Sequence, residues 1–166
     1  MERCQRALSH LEAAWDPWTI RNFEKVGVRE GWDCLEIAGG SGSIAQWLCR
    51  HVGASGHVVA TNLQPRLLES INASNLEVWR HDILRDPLSE KTFDLVHARA
   101  VLSFLPRPAE TITKISTALK PDQPFGTHKK RSLRKQAHLD GILFLSRTRN
   151  GTTNIGAASL NRSPAQ

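Results

Sequence analysis

The chain has 166 residues, 40% of them hydrophobic, which suits one domain with a buried core. It contains no apolar run long enough to span a bilayer, and its first residues, MERCQRALSH, lack the apolar centre of a signal peptide, so neither a membrane span nor a secretory leader is expected. The three cysteines, Cys4, Cys34 and Cys49, are odd in number and not at metal-ligand spacing, which points to a reducing, cytoplasmic setting without disulfides or a bound metal.

In chain order, an irregular helix is expected around residues 6–14. A second helix should open at Asp16-Pro17, where Asp can cap and Pro suits the first helical position, and should stop near Gly27. Cys34–Ala38 reads as a buried strand, and Ile44, Trp47, Leu48 and His51 follow at helical spacing. His57–Thr61 is a second strand, Pro65 opens a short helix, and Leu76–Trp79 is a third strand. Phe93–His97 is a fourth, followed by helical segments at 100–105 and 109–119. Strands separated by helices predict an α/β fold: a Rossmann-like, doubly wound, mainly parallel sheet of order 3-2-1-4.

The pattern changes near Pro121. Residues 1–120 carry 14 Lys/Arg and 14 Asp/Glu, whereas residues 121–166 carry 8 Lys/Arg against Asp122 and Asp140. The whole net charge of +6 therefore sits in the last part of the chain. The expected division is a partial domain over 1–120 and a basic, largely irregular tail over 121–166. Residues 121–140 should be mobile, and 141–145, GILFL, is a candidate fifth strand that would cover the exposed edge of the fourth. The basic run KKRSLRK has the charge to meet a phosphate backbone, but no aromatic residues interleave with it, so nucleic acid is not the expected partner.

The chemistry concentrates in DCLEIAGGSGSIA, residues 33–45, where a buried strand ends in a glycine cluster and a helix follows. Ligands of parallel sheets bind beyond the carboxyl ends of the strands, and the amides opening the next helix favour an anionic group. Gly40-x-Gly42-x-x-Ala45 fits a loose dinucleotide fingerprint, which leaves an NAD(P)-binding oxidoreductase-like domain open. That reading wants an acid at the end of the second strand, where this chain has Asn62, with Arg66 nearby to meet a 2′-phosphate.

More of the chain resembles the class I S-adenosylmethionine-dependent methyltransferases, specifically the small-molecule group related to ubiquinone and menaquinone biosynthesis. The matching stretches are Glu36 ahead of the Ala38-Gly39-Gly40-x-Gly42 turn, VVATNLQPRLLE (58–69), His81-Asp82-Ile83, and FDLVHARAVLSFLP (93–106) with ALKP (118–121). The resemblance covers about residues 10–121 and implies S-adenosylmethionine as cofactor and a small-molecule methyl acceptor. It implies that Ala38, Gly39, Gly40 and Gly42 pass beside the cofactor's methionine and ribose, with Glu36 bracing them. Asn62 would meet the ribose, Leu63 the adenine face, Asp82 the adenine amino group and Ile83 the ring. His97 and Arg99 would line the pocket, with His97 the candidate base if the acceptor must lose a proton; a structural histidine at a strand end is the competing reading.

Several residues depart from the family pattern. Ala38 replaces the first glycine, which ordinary β dihedrals at a strand end would tolerate. Asn62 replaces the ribose-binding acid, Gln64 a second acid and Phe104 a histidine. Relatives continue after the ALKP segment with more strands and a substrate-covering region, whereas this chain shifts in composition as a truncated or frame-shifted reading frame would. A catalytically inactive cofactor-binding remnant is therefore the main alternative to a working methyltransferase.

Overall fold

The structure, a computed structural model, describes residues 2–121 and 142–146. Helix α1 (Glu2–Val26) leads into strand β1 (Asp33–Ile37), helix α2 (Ser43–Val52) and strand β2 (His57–Asn62). A 3-10 turn (Pro65–Ser70), strand β3 (Leu76–Arg80) and strand β4 (Leu95–Arg99) follow. A second 3-10 turn (Leu102–Phe104), helix α3 (Pro108–Thr117) and strand β5 (Ile142–Ser146) complete the described elements. The strands form one sheet of order β3-β2-β1-β4-β5, in which β1 to β4 are parallel. This is the expected Rossmann-like arrangement.

Side chains alternate across a strand, so each face of β1 and β4 collects its own core. Leu35, Ile37, Val96 and Ala98 pack with Ile115, Phe93 and Leu102 on the α3 side. Cys34 and Leu95 pack with Phe23, Trp47, Leu48 and Val52 on the side of α1 and α2. Cover on both faces explains why apolar residues occupy successive positions in these strands, Cys34-Leu35 and Leu95-Val96, rather than alternating with polar ones. Burial raises the Cys34 thiol well above its ordinary range, with nearby carboxylates adding to the effect, and pushes Cys49 up to about 11. Both therefore remain protonated, unreactive thiols at neutral pH.

Three elements differ from their sequence expectation. First, α1 is one helix of 25 residues that passes through Pro17 rather than opening at it. A proline inside a helix removes one backbone bond and costs about 3 kcal/mol. Here α1 gains contacts along the sheet through Phe23 and the half-buried Trp18, Ile20 and Val26. Asp16 does not cap; its carboxylate pairs with Arg99 on β4, Nη1 to Oδ1 at 2.7 Å. Second, β4 starts at Leu95 because Asp94 turns its carboxylate back to the Asp33 amide, 3.0 Å away, and Phe93 bridges Leu119 instead. Third, the apolar run after the basic segment does form a fifth strand, displaced by one residue, and it lies antiparallel to β4 with Leu95 opposite Ser146 and Arg99 opposite Ile142. It covers the β4 edge that the first four strands leave open. The mobility expected of 121–140 and the irregularity expected of 147–166 fall, beyond Pro121, outside the described residues.

The amino ends of β1 and β4 are tied by Lys120. Its Nζ donates to Asp33 Oδ2 and Asp94 Oδ2, each at 2.6 Å. Burial works against the ammonium charge, but the bonds to Asp33 and Asp94 outweigh it and hold the Lys120 pKa above its ordinary value. A lysine pKa raised on folding stabilises the fold below the unfolded value, and that contribution is lost as pH rises through the folded one. Replacing Lys120→Met should lower stability at neutral pH by about 1–3 kcal/mol, because two carboxylates lose a charged donor. In denaturant titrations across pH, the gap between wild type and variant should close only in the strongly alkaline range.

Candidate functional site

The carboxyl ends of the four parallel strands meet at one edge of the sheet. At the centre, β1 ends at Ile37 and the chain turns through residues 38–42 into α2. Gly39 extends the β1–β2 pairing by donating its N–H to the Thr61 carbonyl at 3.0 Å, and Gly42 closes the turn by donating to the Gly39 carbonyl at 2.9 Å. Gly42 has φ +92°, and a Cβ there would sit 2.2 Å from Ile71 Cδ1 and 3.0 Å from Leu68 Cδ2. The turn needs glycine at this point both for its backbone and for close packing on the 3-10 turn after β2. Ala38 also lies in the left-handed region, with φ +56°. The ordinary β dihedrals expected there are not found. Its Cβ occupies a conformation that costs an L-residue about 1–2 kcal/mol.

Glu36 lies one residue before the end of β1 and is 3% exposed. Its register partner on β4 is His97, which is fully buried. His97 Nδ1 and Glu36 Oε2 are 2.6 Å apart. An ionised carboxylate only accepts, so Nδ1 carries the proton. Phe23 of α1 meets the imidazole edge-on, with ring centroids 5.1 Å apart. The two residues expected at the site from sequence thus form one buried pair behind the glycine turn.

Arg99, the last residue of β4, turns toward α1, where Nη1 donates to Asp16 Oδ1 at 2.7 Å and to Thr19 Oγ1 at 3.2 Å. Its guanidinium carbon lies 6.0 Å from the Trp15 ring centre. Glu12, one turn further along α1, accepts a hydrogen bond from Ser41 in the glycine turn. Sequence reasoning missed α1 as a neighbour of this edge. The signal was present in Glu12, Asp16, Thr19 and Phe23, which are spaced four, three and four apart on one helical face. Reading Pro17 as a helix start hid it.

Past β2, Asn62 Oδ1 accepts from the Gln64 amide at 3.1 Å, so the side chain shapes its own turn. Past β3, Asp82 Oδ1 accepts from the Leu84 amide at 2.9 Å while the carboxylate stays partly exposed, and Ile83 is buried. Leu63, Leu84 and Phe104 stand just beyond β2, β3 and β4 and are exposed at 60%, 45% and 81%. They give this edge an apolar rim. A groove of about 550 Å³ lies between α2 and residues 70–75, bordered by Arg50, Asn72 and Ser41. It does not include Glu36, Asn62 or Asp82 and meets this edge only at Ser41. Among the described residues no cluster of His, Cys, Asp and Glu is arranged to hold a metal ion, and no helix is long and apolar enough to cross a membrane.

Residues 35–125 match the family described as "Methyltransferase domain", more than half of the chain. The chain belongs to this methyltransferase family. It is 33% identical over 119 residues to a ubiquinone/menaquinone biosynthesis C-methyltransferase of Ectopseudomonas oleovorans, covering 67% of this chain and 68% of that protein. It is 26% identical over 117 residues to the demethylmenaquinone methyltransferase of Lactobacillus johnsonii, covering 66% of this chain and 48% of that protein. The chain thus spans about half the length of that relative. Among solved structures, a SAM-dependent methyltransferase from Aquifex aeolicus shares the fold at a TM-score of 0.55 and 24% identity, over 61% of this chain and 57% of that one.

The strained Ala38 yields a direct test. Glycine there would relieve about 1–2 kcal/mol of left-handed strain and would lose about 0.4–1 kcal/mol through the greater freedom of the unfolded chain. The strain is the larger effect, so Ala38→Gly should raise the denaturant midpoint by a stabilisation of up to roughly 1 kcal/mol. A lower midpoint would show that the alanine methyl contributes more by packing than it costs in strain.

Proposed function

We propose that residues 1–120 form an S-adenosylmethionine-binding methyltransferase domain that serves methyl transfer to a small molecule, and that residues 121–166 are a basic tail added to it. The observation that carries this reading is the pairing of Glu36 with His97 behind the glycine turn, at the same sheet edge as the partly open carboxylate of Asp82 past β3. The cofactor needs backbone that can approach closely, an acceptor for its amino groups and a flat apolar contact for its base. The 39–42 turn, the partly exposed Asp82 carboxylate and the exposed Leu63 offer these in chemical kind, so the residues fit the group.

When bound, the sulfonium supplies an already activated methyl group. The chain then has to align rather than activate. Gly39, Gly40 and Gly42 bring main chain close, Glu36 braces the turn, and Asn62 offers an amide to the ribose. Ala38 continues the same wall. His97 holds Glu36 in place through Nδ1 and, fully buried, serves as a structural histidine rather than the base the sequence suggested. Arg99 belongs to the wall on the β4 side. The apolar rim of Leu63, Leu84 and Phe104 suits an acceptor with an apolar ring. The buried thiols of Cys34 and Cys49 support a cytoplasmic location.

The second reading, a cofactor-binding remnant without turnover, is favoured by one fact: the chain spans about half of its Lactobacillus johnsonii relative. Transfer needs a positioned acceptor as well as a cofactor, so binding and turnover must be measured separately. Calorimetric titration with S-adenosylhomocysteine and with NADP separates the ligand classes; heat from NADP alone would end the methyltransferase reading. Asp82→Ala should weaken S-adenosylhomocysteine about tenfold, since one charged acceptor is worth roughly that factor. Asn62→Asp should tighten it by a similar factor, because a carboxylate accepts from ribose hydroxyls about twice as strongly as an amide. Unchanged affinity in both variants would place the ligand elsewhere.

A further inference from the structure

Helix α1 is far longer than the sheet it packs on. Its 25 residues extend about 37 Å at 1.5 Å per residue, whereas five-residue β1 and β4 extend roughly 17 Å. The contacts fix where the excess lies. Phe23 is level with His97, Thr19 and Asp16 are level with Arg99 at the end of β4, and Glu12 reaches Ser41 in the glycine turn. The helix therefore runs antiparallel to β1 and β4, and Glu2–Trp15 project past the carboxyl edge. At 1.5 Å per residue that overhang is about 20 Å.

We propose that Arg99 is a positioning residue: by bonding Asp16 and Thr19 it latches the overhanging half of α1 over the glycine turn, so that α1 forms one wall of the ligand site. An isolated helix of this length is marginal in water. Order in the overhang depends on what ties it to the sheet, and Pro17 weakens the helix at the point where the overhang begins. Arg99 grips on both sides of that weak point, holding Asp16 before it and Thr19 after it. Both bonds leave one terminal nitrogen, Nη1, whose two N–H groups can each serve one acceptor, while the planar group lies near the Trp15 ring; a lysine is shorter and lacks that plane. The Asp16 carboxylate also occupies the Arg99 charge, so this arginine acts on a ligand through α1 rather than by touching it. Ser41 and Glu12 make the second tie, directly between α1 and the turn.

The inference rests on the ligand site proposed above, and its test keeps the two apart. Hydrogen exchange on the full chain would be measured for wild type, Arg99→Met, Arg99→Lys and Asp16→Asn, alongside thermal melting and S-adenosylhomocysteine titration. Asp16→Asn weakens the latch from the helix side, removing the charge while leaving an amide acceptor, without altering the sheet, and serves if an arginine variant fails to fold. The expected result is faster exchange confined to amides of residues 2–15 in all three variants, unchanged protection in β1 and β4, and roughly tenfold weaker S-adenosylhomocysteine binding. The proposal is overturned if exchange in 2–15 matches wild type. It is also overturned if Arg99→Met alone weakens binding while Asp16→Asn does not, for then Arg99 touches the ligand itself. Should wild type bind no S-adenosylhomocysteine, the site assignment fails, and the exchange pattern alone still decides whether Arg99 latches α1.

Discussion

A carboxylate 3% exposed on the central strand of a sheet is unstable unless something donates to it. Glu36 meets this constraint through His97, and much of the carboxyl edge follows from that pairing. The two residues are register partners on adjacent parallel strands, so their hydrogen bond also fixes how β1 and β4 align where the glycine turn begins. Removing the His97 ring would leave a buried carboxylate without its donor, a loss of about 1–3 kcal/mol or more. Phe23 closes the α1 side of the imidazole and excludes water from it. The pair thus joins β1, β4 and α1 at one point.

The two ends of the sheet solve opposite problems. At the amino end, Lys120 gathers Asp33 and Asp94 and offsets the repulsion between their two carboxylates. At the carboxyl end, Asn62 and Asp82 keep part of their side chains exposed, and three large apolar side chains stay uncovered. Closing one end and leaving the other open is what a parallel sheet requires if a ligand is to be held at a strand-end crevice. The strain at Ala38 lies at the open end, where backbone in sparsely populated conformations tends to collect.

Helix α1 links these local arrangements. Its inner half is a core helix, held by Phe23 and the apolar residues around it. Its outer half is held by polar ties, Glu12 to Ser41 and, on either side of the junction, Asp16 and Thr19 to Arg99. A proline at the junction would ordinarily end a helix. Here packing on one side of Pro17 and ion pairing beside it keep the helix continuous.

The sheet order, the glycine turn and the positions of Glu36, Asn62 and Asp82 at or just past strand ends were legible in the sequence, whereas His97, read as a strand end, lies mid-strand because β4 runs on to Arg99. Apolar runs, glycines and helical spacing are local signals that survive in one dimension. The course of α1, the left-handed Ala38 and the antiparallel direction of β5 were not legible. Pro17 gives the same local signal whether a helix starts there or runs through it, and only contacts with β4 decide between them. The dihedrals of Ala38 follow from where the turn must deliver α2, not from alanine itself. The direction of β5 depends on a connection whose composition carries no strand pattern. Sequence by itself determined which residues could build a parallel sheet and its glycine turn, because those preferences are local. Tertiary structure alone decided that Glu36 pairs with His97 and Arg99 with Asp16, because those partners lie 61 and 83 residues apart and meet only once the sheet has formed.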